Sequence, residues 1–255
     1  MTIAPHERVL ISPRYLAGAG LERLGEAIGP LVHRAGWATE QNRDTGYLAL
    51  HSPDGAVSVA LDTGNQRGEW WTVTHQEPFW QAEFTRQAPI EAIGVMLYHL
   101  PQITGDHRFA AEVGPLPKES PFEIAARYHW QPAPGAGSAG FRSPDGHCAV
   151  THHPTAAGSE PAWVLSHHVH DGFDTHWDAT FTAGTPAPLV AAFLSNLADS
   201  FPVERVYRDI PLLVRDAADA LITPVRAGGM GPQITHALGN IARIPPTPPG
   251  RPRSR

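Results

Sequence analysis

Histidine, cysteine and arginine are the residues of this 255-residue chain from which chemistry would have to come. Eight of the 15 histidines fall between His129 and His176, among them His152, His153, His167, His168 and His170. Neutral imidazole is a common ligand for zinc or nickel, so such a run first suggests a metal site. Strand spacing works against most of the cluster. With Thr151 and Trp163 flanking a hairpin loop, His152 sits beside the loop while His167 lies roughly 13 Å along the strand. His168 and His170 share a strand face and are the candidate metal pair, but neither an H-E-x-x-H run nor a cysteine and histidine pattern supplies a third ligand. The single cysteine, Cys148, permits no internal disulfide and no multi-cysteine zinc site, and its strand position matches that of Val57, a small buried hydrophobe. No G-x-S-x-G elbow is present, and "GAGSAG" at 135–140 precedes a strand instead of opening a helix, which makes it a flexible loop. Asp54 and Asp145 sit in turn sequences, and turn formation is their first role. A histidine-rich, metal-dependent hydrolase is therefore the third reading in rank, and no cofactor is expected.

Binding chemistry is better represented. Residues 226–255 hold five arginines, Arg226, Arg243, Arg251, Arg253 and Arg255, and no acid; the rest of the chain keeps 14 of the 19 basic residues against all 25 acidic ones, a formal charge of −11. A phosphate-tracking surface needs a basic stripe. Nucleic-acid contact then falls to the tail, where Arg251, Arg253 and Arg255 are the candidates, or to an exposed aromatic such as Trp70. The first reading is a non-enzymatic binding or scaffold protein with a protein partner. The second is a single-stranded nucleic-acid-binding protein using a paired sheet face and the basic tail. No run of 18 apolar residues appears, and the amino terminus "MTIAPHERVL" lacks the pattern of a signal peptide, so a cytoplasmic protein without membrane contact is expected.

The elements that position these residues come twice. Trp37 matches Trp130; "SPDG" at 52–55 matches "SPDG" at 143–146; Trp71 matches Trp163; Trp80, Ala82 and Phe84 match Trp177, Ala179 and Phe181; and Ile93, Leu97 and Leu100 fall on Val190, Leu194 and Leu197. The "SPDG" turn joins two antiparallel strands. Alternation at Val57, Val59 and Leu61, then "WWTVTH", then Trp80, Ala82 and Phe84, gives further half-buried strands. Ile90, Ile93, Leu97 and Leu100, like Val190, Phe193, Leu194 and Leu197, form helical stripes. Thr185 and Pro186 are the expected cap and first residue of the second helix. The tryptophans at matched positions are core residues. Trp70 faces the other way and has Ala162 as its counterpart.

"SPRYLAG" at 12–18, "PLVHRAGW" at 30–37, "SPDG", "WW" and the closing "W.A.F....P...I" together resemble the actinobacterial family catalogued as domain of unknown function 317. That resemblance implies two tandem copies of an α+β unit over roughly residues 9 to 201, and it brings no catalytic residues. The expected fold is a tandem repeat of two β4α units, each a four-stranded antiparallel meander with one helix, forming a pseudo-two-fold pair that imitates a dimer within one chain. The first repeat with its helical lead-in spans 1–102, a linker 103–121, the second repeat 122–201, a carboxy-terminal helix 202–227 and a Pro/Arg-rich flexible tail 228–255.

Overall fold

In the computed structural model the described residues are 3–106, 114–169 apart from 134 and 136, and 175–225. The expected tail at 228–255 lies outside them.

Period-two alternation produces one antiparallel sheet of ten strands. The first half contributes β2 (Ala38–Asn42), β3 (Tyr47–His51), β4 (Val57–Asp62), β5 (Glu69–His75) and β6 (Trp80–Thr85). The second contributes β7 (Gln131–Pro132), β8 (Ala139–Arg142), β9 (Cys148–His152), β10 (Pro161–His168) and β11 (Thr175–Thr182). Their order is β2-β3-β4-β5-β6-β11-β10-β9-β8-β7. Each half is a five-stranded meander, not the four-stranded one expected. The extra strands are polar: β2 reads ATEQN and every residue is exposed, so no alternation marks it, and β7 has only two residues. A sheet edge needs backbone pairing on one side only and can do without an apolar face.

The inner face buries Val57, Val59 and Leu61, Trp71 and Val73, Trp80, Ala82 and Phe84, and in the second half Cys148, Val150, Trp163, Leu165, Trp177, Ala179 and Phe181. Over it lie α1 (Leu24–His33), α2 (Ile90–Tyr98), the short α3 (Leu100–Ile103), α4 (Pro121–Arg127) and α5 (Ala187–Ala198). Contacts run α1 to α2, α2 to α5 and α5 to α4, so the helix layer has the same mirrored order as the strands. Phe193 of α5 meets Phe84 and Phe181 at centroid distances of 5.1 and 5.8 Å, which binds both halves into one core. Ser120 and Glu123 form a reciprocal capping box at the start of α4. Thr185 does not cap α5: Pro186 holds the cap position, and the Thr185 hydroxyl donates to the Gln81 carbonyl at 3.3 Å.

The joint between halves is β6 against β11. Ala82 pairs with Phe181, Glu83 with Thr180 and Phe84 with Ala179. Since Ala82 matches Ala179 and Phe84 matches Phe181, this register is that of a local two-fold axis through the Glu83–Thr180 pair. Side chains repeat the symmetry. The Asp178 amide donates to Thr85 Oγ1, and the Gln81 amide donates to Thr182 Oγ1, each at 2.8 Å.

Outside both halves a second sheet has the order β12-β1-β13, with β1 (Arg8–Ser12), β12 (Val203–Val206) and β13 (Leu221–Pro224). The expected helix at 202–227 is thereby corrected. A 3-10 turn at Tyr207–Asp209 and the single turn α6 (Leu212–Arg215) are all that is helical among the described residues there, and Leu221–Pro224 pairs with β1, in the register Ser12 to Leu221 and Val9 to Pro224. Pairing with β1, whose Val9 and Ile11 are buried, makes the end of this stretch a strand.

Arg205 of β12 fastens this sheet to the helices. Its guanidinium, fully buried, gives two 2.6 Å bonds to the Glu91 carboxylate in the first turn of α2, and further bonds to the carbonyls of Ala17, Gly18 and Glu204. Burial alone would raise the Glu91 pKa, but Arg205 holds it below the usual carboxylate range. Gly20, at φ +63°, passes so close that a Cβ there would lie 2.4 Å from the guanidinium carbon. Glu91→Gln is expected to cost about 3–5 kcal/mol by leaving a buried cation half-partnered. Urea denaturation checks this as a lower midpoint with unchanged slope.

Candidate functional site

Two copies of one turn provide an internal control: geometry shared by both belongs to the fold, and geometry found at one points to a use. In both, the serine hydroxyl bonds the aspartate, Ser52 to Asp54 at 2.6 Å and Ser143 to Asp145 at 2.5 Å. The same serine oxygens accept the amides of Val57 and Cys148 at 2.9 Å, and the aspartates accept the amides of Ala56 and His147. Ser and Asp are thus turn builders at both sites, and the bonds from Ser52 and the Ala56 amide lower the Asp54 pKa.

The second turn is built into a pocket. The hydroxyl of Tyr15, from the "SPRYLAG" segment, donates to Asp145 Oδ2 at 2.7 Å. Burial first and Asp145 next push the Tyr15 phenol far up, so it stays a donor. The pocket, about 480 Å³, is walled by Ser12, Pro13 and Tyr15, by Arg127, Tyr128, His129 and Trp130 after α4, by Pro144 and Asp145, by Ala198, Asp199 and Ser200 after α5, and by Asp219. Arg14 neutralises Asp199 at 2.9 Å, and Glu119 engages Arg127 at 2.7 Å. Asp145 is bonded instead by a phenol, a hydroxyl and an amide, and Asp219 by the imidazole of His147 at 3.1 Å.

His129 marks the pocket a second way. It has φ +62°, the one non-glycine residue with positive φ among those described, and it precedes Trp130 as Gly36, at φ +72°, precedes Trp37. Helices commonly end on a left-handed residue, and glycine is the unstrained choice there. The second half thus places a strained side chain in the pocket wall where the first has none.

Behind the pocket the histidines gather around His167. It matches His75, and each stacks on the tryptophan after its hairpin, His75 on Trp80 at 5.6 Å and His167 on Trp177 at 5.9 Å. His75 bonds the Pro78 carbonyl, whereas neither ring nitrogen of the fully buried His167 has a hydrogen-bond partner among the described residues. His147 and His176 lie 6.4 and 5.4 Å from it by ring centroid, and Tyr15 lies 6.1 Å away. Burial, then the neighbouring imidazoles, lower its pKa to about 3. Among the described residues no group of three His, Cys, Asp or Glu side chains is placed to hold a metal ion.

Of the residues singled out in the sequence, His168 lies on the outer side of β10 with its carbonyl facing His147 Nδ1 at 3.1 Å, while His170, Arg251, Arg253 and Arg255 lie outside the described residues. His152 stacks on Trp163 at 4.1 Å, away from His167. Cys148 is buried, and burial raises its thiol pKa. Trp70 is on the outer face of β5, half-buried, with the Arg86 guanidinium 6.0 Å from its ring centroid. Nearby on that face stand Glu83 and Asp178, both with pKa values raised by burial. Tyr15, His129, Asp199 and Asp219 were not among the site residues expected from the sequence. Comparing His129 with Gly36 across the repeat was the signal available for one of them.

His167, and His99 with a pKa lowered to about 4 by burial, give the fold an acid limit. Both are neutral in the native state and regain a pKa near 6.5 on unfolding, so stability is full above pH 6.5 and falls below it. The slope should be about 1.4 kcal/mol per pH unit for each imidazole down to about pH 4. In denaturant titrations across pH, His167→Phe should remove about half of that slope while keeping the stack on Trp177. His129→Gly should raise stability by about 0.5–1 kcal/mol in the same assay.

Among the described residues no helix is long and apolar enough to cross a membrane. Searches of curated proteins and of solved structures returned no match. One family model does match, twice, over residues 51–102 and 142–203: this chain carries two stretches similar to the family described as SPDY, domain of unknown function (DUF317).

Proposed function

We propose that the chain is a non-enzymatic binding protein, an internal pseudo-dimer of two related units, that receives a basic side chain of a partner protein in the junction pocket. The observation that carries this reading is the pair Asp145 and Asp219, carboxylates set in one pocket and bonded by the Tyr15 phenol and the His147 imidazole. Two carboxylates in one pocket suit a guanidinium or ammonium group, by charge and by charge-assisted hydrogen bonds. A strained His129 in the wall fits a surface kept for binding at some cost in stability.

The single-stranded nucleic-acid reading draws less support. Its aromatic candidate, Trp70, already has Arg86 over its ring, and the face around it carries Glu69, Glu83 and Asp178. Base stacking needs a free ring beside cations.

Fluorescence anisotropy with three labelled probes tests the choice: an Arg-Gly peptide, a Glu-Gly peptide and a short single-stranded DNA. The Arg-Gly peptide should bind best, and Asp219→Asn should weaken it about ten-fold, ~1.4 kcal/mol. Tighter, salt-dependent binding of the DNA, or an Arg-Gly affinity that ignores Asp219→Asn, would reject the proposal.

A further inference from the structure

His147 is bonded at both ring nitrogens, and both partners are oxygens that only accept. Its Nδ1 lies 3.1 Å from the carbonyl oxygen of His168 at the end of β10, and its Nε2 lies 3.1 Å from Asp219 Oδ2 in the pocket wall. An imidazole carries a proton on each nitrogen only as the cation, so the two bonds coexist only in the charged form. The neutral ring has one proton to place. The carbonyl belongs to strand backbone and is fixed, whereas the Asp219 side chain is 54% exposed and water can solvate it. The proton therefore stays on Nδ1, and the Nε2 lone pair is left facing a carboxylate that repels it.

We infer that His147 regulates the pocket: as imidazolium it pins Asp219 and offsets its charge, and as neutral imidazole it releases Asp219 to the basic side chain of a partner, so that binding tightens as pH rises. This rests on the pocket reading above and adds its control. Around the ring stand Asp145, which accepts the His147 amide, and the Tyr15 phenol bonded to Asp145. Arg142 on β8 lies beside Gly146, and β10 brings His167, 6.4 Å away by ring centroid, and His168. Arg142 keeps its charge, while Tyr15 and His167 stay neutral near neutral pH. His129 in the pocket wall and His168 on the outer side of β10 are the other imidazoles to separate from His147. The first half has Ala56 at the matched place in its turn, so the scaffold folds without an imidazole there.

Anisotropy with the labelled Arg-Gly peptide at about pH 5.5 and about pH 8, either side of the imidazole transition, tests this, with tryptophan fluorescence confirming the fold at each. Affinity should rise about five-fold toward the higher pH, the lower end of typical coupling between sites. The arginine of the peptide stays charged throughout, so the change belongs to the protein. His147→Ala should bind at the lower pH as tightly as the native chain does at the higher, while His129→Gly and His168→Gln should keep the rise. Nitrogen NMR of the rings should find the His147 proton on Nδ1 at the higher pH, the tautomer that a free histidine side chain disfavours in water. A proton on Nε2 there, equal peptide affinity at the two pH values, or a rise that persists in His147→Ala would overturn the inference and leave the pocket reading standing. Arg-Gly binding absent at both pH values would overturn the pocket reading, and this inference with it.

Discussion

A buried cation fixes the relation of three distant parts of this chain. Arg205 stands after the second half in sequence, yet its guanidinium is held by Glu91 in the first half and by the carbonyls of Ala17 and Gly18 ahead of both. A charge out of water is tolerable only when its donors are met by fixed acceptors. The position of Glu91 at the start of α2 adds to this, since the helix end favours an anion. The amino-terminal segment is then a clamped strap. Arg14, at the other end of the strap, repeats the device with Asp199 and the carbonyls of Asn196 and Phe201. Between these anchors lies Tyr15, and its bond to Asp145 completes the pocket wall.

The joint of the halves shows how a duplicated unit becomes one body. Antiparallel pairing of equivalent strands about a two-fold axis satisfies both edges at once, leaving only β2 and β7 as ends of the sheet. Phe84, Phe181 and Phe193 meet beneath that seam, so the strands cannot part without exposing the largest aromatic contacts in the centre of the core. Thr85 and Thr182 lock the two ends of the seam with equal bonds.

What could be read from sequence followed the periodicity of burial. Val57, Val59 and Leu61, or Val190, Phe193 and Leu194, announce their elements because one face is apolar. β2 has no such face, and β13 alternates exposed with half-buried residues, so each is a strand only by virtue of its neighbour. The turn role of Asp54 and Asp145 was legible because Pro and Gly impose it. The pocket was not. Its walls come from residues 12–15, 127–130, 144–145, 198–200 and 219, which only tertiary structure assembles.

Function on a duplicated scaffold is best sought where the duplication fails. The two "SPDG" turns and the two threonine locks are equal in both halves, and each has a structural reason to be there. Inequality is concentrated at one place: His129 against Gly36, His147 against Ala56, and a tyrosine on Asp145 where the bonds to Asp54 are local. Each departure carries a cost or a charge that folding alone does not require, and all of them face or back the same pocket. A strap that can lie over only one of two equivalent surfaces breaks the symmetry, and the broken half becomes the site.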